Sequence, residues 1–229
     1  MKFFAIFPSS PPKLNANWYS LGTILVVLLL YLTFKYYQNE DFKKTFKLIQ
    51  LVQMTVLYSW YLSAGGPLKE ALPFYHCRIA MFGFFLLPNR HRFKQFLMIM
   101  APIGSFMALA FPVFDPFGFP HVTNFSYVIG HLALLVNSIA YLLTYYEKGN
   151  LTAKSVFLYN LSLNSFLAVV NMLLRANYGF IMDFPVIQSR QPILNIFLVT
   201  VGLSSLMLLV DNLCLRLNGD SLGIFQNKL

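Results

Sequence analysis

Cys77 and His131 are the residues in this chain best suited to covalent chemistry. A thiolate is a strong nucleophile, and an imidazole from another helix can take its proton and stabilise the ion pair. His76 adjoins Cys77, but successive helical residues point about 100° apart. It is therefore poorly aimed at the thiol, and His131 is the better base. The competing reading of Cys77 is a small, inert, buried hydrophobe. Polar groups that could bind a substrate recur beside these two: His76, Arg78, Asn171, Arg175, Asn177 and Tyr178. Cys214 reads as packing, too far from Cys77 in depth for a disulfide. His91 and His121 fall in connecting segments and read as solvated.

Seven apolar stretches must position these groups. Their expected bounds are Trp18–Tyr37, Thr45–Ala64, Ala71–Pro88, Phe93–Phe114, Thr123–Tyr146, Lys154–Tyr178 and Gln191–Arg216. Each is close to the ~20 residues that cross a bilayer as a helix. Short connections predict antiparallel neighbours. The expected fold is all-α, a polytopic seven-helix transmembrane bundle forming one membrane domain over residues 1–229. Hydrophobic residues make up 57% of the chain and charged residues 11%, about half the charged share of a soluble domain.

The net charge of +9 does not indicate nucleic acid. No phosphate loop, RNA-binding signature or zinc-finger spacing accompanies it, and Lys and Arg cluster in short loops instead. Lys35, Lys43, Lys44, Lys47, Arg90, Arg92, Lys94, Lys148, Lys154, Arg216 and Lys228 fall on one side. Lys2, Lys13, Lys69 and Arg190 fall on the other. The positive-inside rule then puts the N-terminus outside and the C-terminus in the cytoplasm.

With that orientation the polar groups converge in the outer half of the bundle. His76 and Cys77 lie roughly 8–9 Å below the start of the third span, and His131 roughly 12 Å down the fifth. Asn171, Arg175, Asn177 and Tyr178 occupy the last turns of the sixth span, and Asn195 sits one turn into the seventh. On the sixth span Asn160, Asn164, Asn171, Arg175 and Tyr178 fall within roughly 60° of one another at ~100° per residue. The ordinary role of such a stripe is interhelical hydrogen bonding. An intramembrane Arg points further, to a functional site.

Leu72-Pro73-Phe74-Tyr75-His76-Cys77, the Gly130-His131 step, and Asn171-Met-Leu-Leu-Arg-Ala-Asn177-Tyr178 followed by Pro185 resemble the bacterial YwaF-type integral membrane proteins. That family is similar to a vertebrate membrane acyltransferase making polyunsaturated ether phospholipids. The resemblance implies that Cys77 is the nucleophile and His131 its partner. The function expected is a lipid acyltransferase or transacylase of the cell membrane acting on phospholipids and lysophospholipids. Cys77 carries the acyl chain as a thioester, and Asn171 or Tyr178 helps bind the oxyanion. This chemistry needs no metal or organic cofactor. Two rivals come from other classes: a transporter or receptor for a small anionic or amphipathic ligand, and a b-type haem protein with His76 and His131 as axial ligands.

The charge count makes the topology testable. A reporter fused at the C-terminus is expected in the cytoplasm, and one inserted near Phe117 outside. The opposite labelling would reverse both the orientation and the leaflet of the polar cluster.

Overall fold

The computed structural model describes residues 3–64 and 71–226, with side chains to residue 217. Lys2, Lys69 and Lys228 of the charge count lie outside these described positions. Seven α-helices form among the described residues: α1 (Ala16–Tyr36), α2 (Glu40–Ala64), α3 (His76–Leu86), α4 (Arg92–Ala110), α5 (Val122–Tyr145), α6 (Ala153–Leu174) and α7 (Pro192–Gln226). A 3₁₀ turn, Tyr178–Phe180, lies between the last two. Five of the helices (α1, α4, α5, α6 and the Pro192–Leu217 part of α7) are long and apolar enough to cross a membrane. The protein is thus all-helical in its described parts and multi-pass.

α2 and α3, expected as the second and third spans, are not among these five, and α3 and α6 are shorter than expected. α3 has 11 residues, about 16 Å of rise, roughly half the ~30 Å hydrocarbon thickness. Prolines bound it. Pro73 precedes it, and Pro88 forces Leu87 into the extended region (φ −96°, ψ 143°). α6 stops at Leu174 rather than Tyr178, because Arg175 takes a left-handed conformation (φ 51°, ψ 43°) and ends the helix there.

The chain forms two compact units. The first holds residues 1–72 and 104–140. Asn39 starts α2 by accepting from Phe42 N–H at 2.9 Å, with Glu40 and Asp41 favourably placed at the helix N-terminus. Lys43 lies 2.5 Å from Glu40 and holds that carboxyl below its usual range. α2 and α5 run antiparallel in a fixed register. Asn137 Nδ2 donates to the Phe46 carbonyl at 3.1 Å, and seven residues later on α2 Gln53 packs on Gly130. Gln50, fully buried, donates to Gln53 at 2.8 Å. α1 adds Val26 against Leu132 and Leu135.

His121 departs from expectation. It is 1% exposed, and both ring nitrogens are bonded. Nε2 donates to the Ala5 carbonyl at 3.0 Å, and Nδ1 lies 2.9 Å from Thr123 Oγ1. The ring stacks on Phe117 at 4.2 Å and meets Trp60 edge-on. Tertiary contact from the N-terminal segment removes it from solvent. Val122 N–H to Phe3 and Ser9 N–H to Pro116 complete this strap.

The second unit holds residues 73–103 and 141–229. Its centre is the first half of α4, where every residue from Lys94 to Ala101 is 3% exposed or less. A helix buried all round must be matched at its polar end. Lys94 Nζ donates to the Leu87 carbonyl and to Asn89 Oδ1, each at 2.9 Å, so a residue read as a loop charge is a buried clamp. Gln95 exchanges hydrogen bonds with the Glu147 backbone at 3.1 and 3.0 Å. Thr152 and Ser155 form a capping box at the start of α6.

Gly130 tests the α2–α5 register. A Cβ there would lie 2.9 Å from Gln53 Oε1, at a side chain only 7% exposed. Gly130→Ala is expected to cost about 1–3 kcal/mol by overpacking. Gly22→Ala, with nothing within 4 Å, should gain up to about 1 kcal/mol from helix propensity. Thermal unfolding in one detergent compares them; equal melting temperatures would show that the close approach at Gly130 is not required.

Candidate functional site

In the second unit the site is built where α3 begins. Tyr75 caps the helix with extended backbone (φ −69°, ψ 139°) and contributes no side-chain cap. His76, Cys77 and Arg78 therefore occupy a first turn whose backbone N–H groups lack intrahelical acceptors. Cys77 is a free thiol and only partly buried. The Arg78 guanidinium lies over the Tyr75 ring at 5.2 Å.

His76 is fixed from the side. Its Nε2 lies 2.9 Å from Asn164 Oδ1. A carbonyl oxygen can only accept, so Nε2 carries a hydrogen, and in the neutral ring Nδ1 keeps its lone pair. Asn164, fully buried, is held in turn by donating from Nδ2 to Thr200 Oγ1 at 3.0 Å. One turn earlier Asn160 donates to Ser204 at 2.9 Å. The two contacts share an antiparallel register between α6 and α7 and pair the nitrogen ends of both amides, while Asn160 Oδ1 is buried without a partner. Among the described residues nothing hydrogen-bonds His76 Nδ1.

The floor beneath the imidazole is the turn after α6. Asn171 grips Tyr178 with both ends of its amide: Oδ1 accepts from Tyr178 N–H at 2.7 Å and Nδ2 donates to the Tyr178 carbonyl at 2.9 Å. Tyr178 is fully buried, and its ring meets Tyr75 edge-on at 5.0 Å and Phe74 at 5.6 Å. This places Gly179 under His76. A Cβ on Gly179 would fall 2.6 Å from His76 Cε1 and 3.1 Å from Nδ1, and its φ is +67°. Only glycine meets both demands at low cost.

His76, Cys77, Arg78, Asn171 and Tyr178 thus gather in one unit. Asn171 and Tyr178 are spent on each other's backbone and amide, so they shape the turn. Asn177 serves its own loop, accepting from Met182 N–H at 2.9 Å and Asp183 N–H at 3.1 Å and donating to the Asp183 carbonyl at 2.9 Å. Arg175 is exposed and acts as the helix terminator. His131 belongs to the first unit. Its Nδ1–H donates to the Tyr127 carbonyl at 2.6 Å, which leaves Nε2 as the acceptor nitrogen. Asn164 belonged to the visible stripe, but its partnership with His76 did not. Thr200 and Ser204, one turn apart on α7, were the signal that a second polar stripe faces the first.

The model of the TMEM164 family matches residues 10–211. The chain belongs to the TMEM164 family. The match begins within the N-terminal segment and runs through α1 to Asp211 of α7, so both units and every site residue named here fall inside it. No curated protein sequence and no solved structure matches the chain. Membership supports a multi-pass membrane protein and carries no reaction with it.

Gly179→Ala strains the backbone and collides with His76. The expected cost is about 1–3 kcal/mol, with loss of the His76–Asn164 hydrogen bond. Nitrogen-15 NMR of labelled histidine would report a change in the His76 ring resonances. An unaltered spectrum and melting temperature would show that the turn does not support the imidazole.

Proposed function

We propose that this TMEM164-family protein is a membrane lipid acyltransferase or transacylase that carries the acyl group on Cys77. The supporting observation is one helical turn. Cys77, a free cysteine in a partly buried position, directly follows a histidine that is hydrogen-bonded to a buried amide, and a guanidinium comes one residue further on. That turn opens a half-length helix, so in a membrane it lies at a depth that lipid esters reach. Arg78 is placed to attract a phosphate.

In the reaction Cys77 Sγ attacks the ester carbonyl of a phospholipid. The S–C bond forms, the ester C–O bond breaks, and a lysophospholipid leaves with the proton taken from the thiol. A second lysophospholipid hydroxyl then attacks the thioester: the new C–O bond forms, the C–S bond breaks, and the hydroxyl proton returns to sulfur. His131, with Nε2 as its acceptor nitrogen, is the base that the sequence assigns. The site opens toward the outer leaflet of the cell membrane.

A half-length helix also suits ligand passage, because broken helices place their ends at binding sites in transporters. That is the second reading. Purified protein given a phospholipid with a labelled acyl chain separates the two. Label released by hydroxylamine and mapped to Cys77 is expected, lost in Cys77→Ala and retained in Cys214→Ala. Turnover at the wild-type rate in Cys77→Ala would sink the covalent mechanism. Absence of turnover across several lipid pairs would favour the binding or transport reading.

A further inference from the structure

We infer that His76, oriented by Asn164 and Thr200, is the group that moves the proton to and from the lipid oxygen during acyl transfer. The inference rests on the acyl-transfer reading above and assigns within it a role that the sequence gives to His131.

Three observations converge. First, the Asn164 amide bridges α7 and the imidazole. Asn164 Nδ2 donates to Thr200, so its oxygen is the end that meets His76 Nε2. The imidazole is thereby held with Nδ1 unprotonated, the form a general base needs. Second, no described residue hydrogen-bonds Nδ1, whereas the neighbouring Asn171 amide is committed at both ends to the Tyr178 backbone. Third, the close glycine preserves this placement, because any side chain at position 179 would push on the Cε1–Nδ1 edge.

Neighbouring helical side chains diverge by about 100°, which makes His76 a poor direct partner for the Cys77 thiol. The same divergence suits a group acting on the lipid. An ester carbon seated between the two residues meets sulfur on one side, and its leaving oxygen meets Nδ1 on the other. A water bound between thiol and imidazole relays the thiol proton to Nδ1, which passes it to the departing oxygen as the C–O bond breaks. In the second half-reaction Nδ1 takes the proton of the attacking hydroxyl as the new C–O bond forms. It returns that proton to sulfur through the same water as the C–S bond breaks. Asn164 contacts neither lipid nor sulfur and is a positioning residue.

Single-turnover acylation of Cys77 by a labelled phosphatidylcholine, followed against pH, tests the assignment. His76→Gln should slow acylation by 100-fold or more, the scale of general acid–base catalysis, and remove the ionisation that limits the rate at low pH. Asn164→Leu should slow it by at least 10-fold. Asn164→Asp keeps an acceptor for Nε2 and adds a negative charge beside the imidazole, which favours its protonated form. Its profile should move toward higher pH while the protein melts near the wild-type temperature. A merely structural role for Asn164 predicts no such displacement. Wild-type acylation that persists at an unchanged rate and pH profile in His76→Gln, and falls only in His131→Gln, would overturn the assignment and leave the acyl-transfer reading standing. No thioester on wild-type Cys77 with any donor would remove that reading itself.

Discussion

A side-chain amide placed among apolar helices is costly to leave wholly unpaired, and Gln50 and Asn160 each pair their nitrogen although their oxygens lack a partner. This constraint organises both units. In one, Asn160 and Asn164 meet Ser204 and Thr200 across α6 and α7. In the other, Gln50 and Gln53 pair on α2 while Asn137 reaches the Phe46 carbonyl. Hydrophobic packing alone tolerates sliding between helices whose lipid-like faces are interchangeable. The amides that cross between helices do not, because a shift of one residue would unpair Asn160, Asn164 and Asn137 at once. They convert general burial into a single register.

The same constraint accounts for the candidate site. Once Asn164 is committed to Thr200, its remaining oxygen has a fixed aim, and the imidazole that meets it inherits that aim. Asn171 does for the following turn what Asn164 does for His76. By holding both backbone groups of Tyr178 it fixes where Gly179 lies. Site geometry is therefore an extension of helix pairing rather than a separate feature laid over it.

Much of the helical layout was legible because hydropathy over a span survives changes in its surroundings. The buried stripe on α6 was legible for the same reason: 3.6-residue periodicity is local. Two errors have local causes as well. α3 was read through its flanking prolines because the apolar run continues across Pro73 and up to Pro88. α6 was read through Arg175 because the polar spacing continues to Tyr178, and no glycine marks the left-handed residue. What the sequence could not supply was the far partner. Lys94 looked like a loop charge and His121 a solvated ring, since nothing within a few residues of either records the carbonyls that enclose them. Asn164 was visible as a polar position, yet its tie to His76 spans 88 residues.

The N-terminal strap changes how α1 should be regarded. Only Val26 and Thr33 of this helix are buried, Thr33 spends its hydroxyl on its own Leu29 carbonyl, and the body holds on by apolar packing alone, through Leu25, Val26, Leu29 and Leu30. Its moorings lie at the start: Asn15 caps it, and the residues before that are lashed to the segment leading into α5 through Ala5, Ser9 and Phe3. α1 is a mast stayed near its foot rather than a beam set in a wall. Its outward face is consequently free to vary with the lipid around it, while changes in the few residues ahead of the helix bear on the anchorage of the whole rod.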